Sequence, residues 1–149
     1  MRTPARITLA VVAAALAFSL TPASVATPAA CEGRCEVAAL SAGYLTPITE
    51  ISRGARVVWN GLDTSHPTSE IPAEGKVSCF SVAVGPGVKQ DPVKFTVKKG
   101  AVKATVAPGT KRAVKRTCHG ATLLPTGDRM VTYRCEIHPH MLGALVISA

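Results

Sequence analysis

Within the stretch Tyr133 to Gly143, a thiol, an imidazole and a thioether follow one another as Cys135-x2-His138-x2-Met141. A soft thiolate, a borderline imidazole and a weak thioether together suit copper. Zinc sites are built from thiolates, imidazoles and carboxylates, and calcium and magnesium take oxygen. Two imidazoles and a thiolate in a trigonal plane, with a long axial Met, make a copper site that passes single electrons. This stretch supplies three of those four donors. The second imidazole has to come from elsewhere in the chain.

Two stretches carry a family resemblance. Cys135-Glu136-Ile137-His138-Pro139-His140-Met141, with Tyr133 before it and Gly143-Ala144-Leu145-Val146-Ile147 after it, resembles the ligand loop of cupredoxins, the small blue copper proteins. The two-residue gap between His138 and Met141 is most similar to the amicyanin loop. Upstream, Tyr44-Leu45-Thr46-Pro47-Ile48-Thr49-Glu50-Ile51-Ser52-Arg53-Gly54-Ala55-Arg56-Val57-Val58-Trp59-Asn60 is similar to the run that leads to the first copper His in that family. The next His here is His66. The resemblance implies one type 1 copper ion held by His66, Cys135, His138 and Met141, and a protein that carries electrons between redox partners and catalyses nothing. It also implies that His138 is the electron exit, with Leu142, Pro139 and His140 in a docking patch. One departure stands out. The family commonly gives the Cys sulfur a backbone N–H from the residue after the first His, and here that residue is Pro67, which has none. Ile137 keeps its N–H where amicyanin has a proline, so the expectation is that the sulfur hydrogen bond moves to that side.

Two other imidazoles compete for the site. His140 lies between His138 and Met141 and is expected at the loop rim, and His119 follows Cys118 without ligand spacing. Met130 sits on a strand with no ligand spacing either. The rival reading of the same donors is copper capture, storage or delivery outside the cell.

The elements that must position these residues read as short strands. Val93-Lys94-Phe95-Thr96-Val97-Lys98 and Ala101-Val102-Lys103-Ala104-Thr105-Val106 alternate apolar and polar around Lys99-Gly100, which predicts a hairpin with a tight primed turn. Glu36 to Leu40, Thr49 to Ile51, Arg56 to Asn60, Val77 to Val84, Met130 to Cys135 and Gly143 to Ser148 read as further strands, with Trp59 as a core anchor. Pro67 to Lys76 reads as polar and turn-rich, and Lys111 to Leu124 as an irregular crossing or a short strand. No stretch keeps a helical period. Seven or eight strands punctuated by Gly and Pro argue for an all-β sandwich, which the resemblance narrows to a Greek-key cupredoxin-like fold.

The chain has 149 residues, enough for one domain. Arg2 and Arg6 precede an apolar run from Ile7 to Leu20, and small residues follow, so residues 1–30 read as a secretory signal peptide and 31–149 as the domain. The expected location is the periplasm, the cell surface or the medium. A cleavage after Ala30 would leave Cys31 first, the arrangement of a lipoprotein, and membrane anchoring is expected only if Cys31 is lipidated. Five cysteines are an odd number for an oxidising compartment. With Cys135 on a metal, Cys31, Cys35, Cys79 and Cys118 can pair in three ways; close spacing favours Cys31–Cys35, leaving Cys79–Cys118 to staple the middle segment.

Without the two leader arginines, 15 basic and 9 acidic residues leave a net charge of about +6. Much of the excess lies between Lys89 and Arg116. It is either a solvated sheet face or a means of steering toward an acidic redox partner or an anionic cell surface. Six aromatics, none interleaved with the lysines, and an export signal argue against nucleic acid. A monomer is expected.

Overall fold

The computed structural model describes residues 29–107 and 112–149; the expected signal peptide, apart from its last two residues, and Pro108 to Lys111 lie outside them. The described residues form twelve strands and no helix. The strands are β1 (Arg34–Leu40), β2 (Gly43–Tyr44), β3 (Ile48–Ile51), β4 (Arg56–Gly61), β5 (Thr68–Glu70), β6 (Ser81–Val82), β7 (Val93–Lys98), β8 (Ala101–Val106), β9 (Val114–Thr117), β10 (Thr122–Leu123), β11 (Arg129–Cys135) and β12 (Leu142–Ile147). Eight have four residues or more, and the rest are two- or three-residue pieces. They build an all-β sandwich of two sheets, ordered β2-β1-β4-β7-β8-β9 and β3-β12-β11-β5-β6, with β10 added on β11.

Alternation along the strands puts one face of each sheet into a shared core. Val57 and Trp59 on β4, Val93 and Phe95 on β7, and Val131, Tyr133 and Cys135 on β11 are all buried. Trp59 is the hub. Its ring stacks on Phe80 at 5.0 Å and meets Tyr133 edge-on at 5.5 Å; Tyr133 in turn meets Tyr44 edge-on at 4.9 Å. Such pairs add to the large apolar area that each ring removes from water. The β7–β8 hairpin forms in the expected register, Lys98 opposite Ala101. Lys99 and Gly100 both take positive φ, 50° and 76°, the conformation of a primed two-residue turn.

Two segments differ from the sequence expectation, and one side chain accounts for both. Pro67 to Lys76 is not simply a polar loop: Thr68, Ser69 and Glu70 form β5, wholly buried between β11 and β6. Val77 to Val84 is strand only at Ser81 and Val82. The carboxylate of Glu70 accepts the backbone N–H of Cys79 through Oε2 and that of Gly120 through Oε1. The Ser78 hydroxyl donates to the Glu70 carbonyl. Backbone groups that a ladder would otherwise use are therefore satisfied by side chains. The described part of the Lys111 to Leu124 segment, from Arg112 onward, contains β9 and β10 flanking Cys118 and Gly120.

Disulfides join Cys31 to Cys35 and Cys79 to Cys118, the favoured pairing, and Cys135 is free and buried. With its sulfur in that bridge, Cys31 has no thiol to acylate. Glu70 grips the second bridge from both sides, at Cys79 and two residues beyond Cys118. Glu70→Ala would strand one buried and one half-buried N–H donor, and the expected loss is about 3 kcal/mol in a urea unfolding curve. A loss under about 1 kcal/mol would mean that water replaces the carboxylate without penalty.

Candidate metal centre

The pairing of β5 with β11 sets Cys135 opposite Thr68, and this register brings His66, two residues earlier, beside the Cys135 sulfur. His138 arrives from the loop that joins β11 to β12. The two imidazole Nδ1 atoms lie 3.2 Å apart, and Cys135 Sγ lies 3.5 Å from His138 Nδ1 and 4.0 Å from His66 Nδ1. The three donor atoms fall within 4.8 Å of one another. His66 and Cys135 are buried and His138 is half-buried.

Met141 is buried at the end of the same loop. Its carbonyl accepts from Cys135 N at 3.1 Å and its N–H donates to the His138 carbonyl at 2.9 Å, so the loop folds back on itself. The Glu136 N–H donates to the Pro67 carbonyl at 2.7 Å, which ties the two ligand segments together through the residue that has no N–H of its own. A side chain at Gly143 would run into the Tyr133 ring at 2.3 Å, so the strand after the loop needs glycine there.

His66 is held from behind. Its Nε2 lies 2.7 Å from Asp63 Oδ1. Donation of an Nε2–H to that carboxylate leaves the Nδ1 lone pair facing Cys135 and His138. Asp63 is itself fixed by the N–H and the hydroxyl of Ser41, both at 2.7 Å. The His66 bond, first, and the two Ser41 bonds hold its carboxyl well below the usual carboxylate range. On the backbone side, Tyr44 O–H donates to Thr68 Oγ1 at 2.9 Å, and the Thr68 hydroxyl donates to the His66 carbonyl at 2.8 Å. Burial pushes the Tyr44 phenol up to about 12, so it stays a donor at neutral pH.

The other candidates stand apart from this cluster. His140 is exposed at the rim and points its Nε2 at the Ser41 carbonyl, 2.9 Å away, so Ser41 links the two ligand loops. His119 is exposed beyond Cys118, and Met130 is half-buried on β11. Glu70, Cys79 and Cys118 also bring donor atoms together, but the two sulfurs are bonded to each other and the carboxylate is taken up by N–H groups. Sequence reasoning missed Asp63, Ser41, Tyr44 and Thr68. Only Asp63 had a signal, an acid one short turn before His66.

The donor set fits a thiophilic metal. A free thiol and two imidazole nitrogens converge, one imidazole is oriented by a carboxylate on its far nitrogen, and a thioether closes the loop.

No protein-family model matches the chain, and no curated protein matches it. Among solved structures, the chain is similar to a reduced Cu(I) form of an amicyanin mutant, at 18% identity over 79% of this chain and 85% of that one, with a TM-score of 0.41. It is similar to a copper-containing nitrite reductase, NirK, from Thermus scotoductus SA-01, at 16% identity over 87% of this chain and 25% of that one, with a TM-score of 0.40. A purple cupredoxin from Nitrosopumilus maritimus is 16% identical over 76% of this chain and 99% of that one, with a TM-score of 0.37.

Proposed function

We propose that this chain is an exported type 1 copper protein that carries single electrons between redox partners. The observation that supports it most is the free, buried thiol of Cys135 set against the Nδ1 atoms of His66 and His138. In this reading His66, Cys135, His138 and Met141 would hold the ion. Copper supplies the one-electron couple between Cu(II) and Cu(I).

The chain's own residues supply the rest. Asp63 keeps the His66 ring in one orientation and one tautomer. The Tyr44–Thr68 relay fixes the backbone that bears it. Because both loops are fastened to strand ends of the sandwich, the donors keep their places whichever charge the site carries. His138 is the donor that reaches toward the surface. Around it Ile137, Pro139, His140 and Leu142 are exposed, and Leu142 continues into a shallow apolar surface with Pro47, Ile48 and Ala144. A partner docking there would come close to the metal without opening the core. Three buried donors favour holding the metal over handing it on. Copper capture and delivery would call for donors that open to solvent.

Copper(II) added to the protein should give an intense visible band from thiolate-to-copper charge transfer, and Cys135→Ser should abolish it. A folded protein that binds copper without the band would turn the assignment to metal handling. Asp63→Ala should weaken copper binding about 10- to 100-fold in competition with a chelator, since the lost partner orients a ligating imidazole. An unchanged affinity would relegate Asp63 to loop structure. Ile137→Pro removes the N–H proposed to reach the thiolate, and a shift in reduction potential is expected by voltammetry; an unmoved potential in a copper-loaded variant would sink that bond.

A further inference from the structure

The outer face of the first sheet carries a row of cations that the electron-carrier reading does not use. Register places Arg34 beside Arg56, Arg56 opposite Lys94, Lys94 opposite Thr105, and Thr105 opposite Lys115. The row therefore crosses five strands, about 19 Å at the usual strand spacing. Lys103 and Lys98 follow on the same face in the next two rows, among Thr96, Thr117 and Ala101. Glu36, exposed, lies 3.5 Å from Arg34 and offsets that one charge.

Like charges directly opposite in a sheet oppose folding, so Arg56 facing Lys94 is a cost to the fold. A partner that neutralises them removes that cost. The row also sits at the wrong end to serve electron transfer. Arg56 begins β4, whereas the chain reaches the His66 loop after Gly61, so row and metal centre are separated by about 16 Å of extended strand. Steering a redox partner to His138 would place the charge around that ring. Nor does the row fit a protein interface, which has an apolar, aromatic-rich centre. The large apolar side chains exposed among the described residues, such as Leu45, Ile48, Ile137 and Leu142, are not in it.

We infer that this face lays the protein on an anionic lipid bilayer, through Arg34, Arg56, Lys94, Lys103 and Lys115, with the metal loop turned away from the lipid. A broad cationic face without an exposed apolar centre matches a smeared negative surface potential. It is also the end at which the leader, read above as an export signal, joins the sandwich: Gly33, two residues past Cys31, accepts the Arg56 N–H at 2.6 Å. With Cys31 in a disulfide, the inference needs no acyl chain on its sulfur. The inference does not depend on the identity of the metal.

The test is flotation of the purified protein with phosphatidylcholine vesicles containing about one-third phosphatidylglycerol, at low and high salt. Binding is expected at low salt and release at high salt. Arg56→Glu with Lys94→Glu should lower partitioning more than about tenfold, at about fivefold for each cation removed from the surface. Lys76→Glu with Lys89→Glu makes the same change in net charge in loops off the row and should lower it less than about threefold. Arg56→Gln with Lys94→Gln, which leaves no like charges opposed at that pair, should melt at a higher temperature than the parent. If the Glu row variant does not fold, Arg56→Gln with Lys94→Gln against Lys76→Gln with Lys89→Gln carries the same comparison. Equal losses in the row and loop variants, or no flotation of the parent, would overturn the inference. So would a parent that ignores the vesicles and binds polyglutamate, the mark of an acidic protein partner.

Discussion

The pairing of β5 with β11 is the constraint on which the rest depends. Three opposed residue pairs, Tyr133 with Glu70, Arg134 with Ser69 and Cys135 with Thr68, decide what faces the core. A slip of one residue would send Tyr133 and Cys135 to the outside and bring Arg134 in. Three short pairs are weak insurance against such a slip, and the register is fixed by groups around them. Tyr133 is pinned between Tyr44, Trp59 and the bare backbone of Gly143. Glu70 is pinned by the N–H groups on either side of the Cys79–Cys118 bridge. The middle segment between the ligand halves thus has a clear task. It clamps the strand that delivers the first imidazole.

The polar side chains near the site follow the same logic. His66 and Glu70 are fully buried, and a buried polar group is costly unless it is bonded. The partners of His66 are themselves held, Asp63 by Ser41 and Thr68 by Tyr44, and Glu70 accepts the N–H groups of Cys79 and Gly120 beside the disulfide. Ser41 stands at the turn between β1 and β2, so the far end of the first sheet's opening strand is wired to both ligand loops through one serine. Positioning of the site is a property of the sandwich as a whole. No single loop holds it.

The parts legible in the sequence were those where one local rule dominates. The β7–β8 hairpin has strict alternation and a Lys-Gly turn, and Cys135, His138 and Met141 announce themselves by donor chemistry at fixed spacing. His66 was legible only through the upstream resemblance, since an isolated His carries no spacing. β5 was not legible, because Thr68, Ser69 and Glu70 look like a loop when judged by polarity. Their burial depends on partners 50 residues or more away for Gly120, and on the neighbouring β11 for the ladder. Val77 to Val84 failed in the opposite sense. Its apolar residues suggested a strand, but its backbone is claimed by Glu70 and a disulfide that periodicity cannot reveal. Ser41 had no signal at all, because a serine in a turn is the commonest of turn residues.

The odd cysteine brings fold and chemistry together. In an oxidising compartment a fifth thiol threatens every disulfide, since exchange needs only an accessible thiolate and a nearby bridge. Here the bridges are committed within their own neighbourhoods, four residues apart in one case and fastened by Glu70 in the other. Cys135 is buried at a strand end between two imidazoles, and reaching either bridge would require it to leave the β11 ladder. The register that presents the thiol to His66 and His138 therefore also withholds it from the other four cysteines. The same pairing that builds the cluster of donor atoms also keeps its thiol chemically intact.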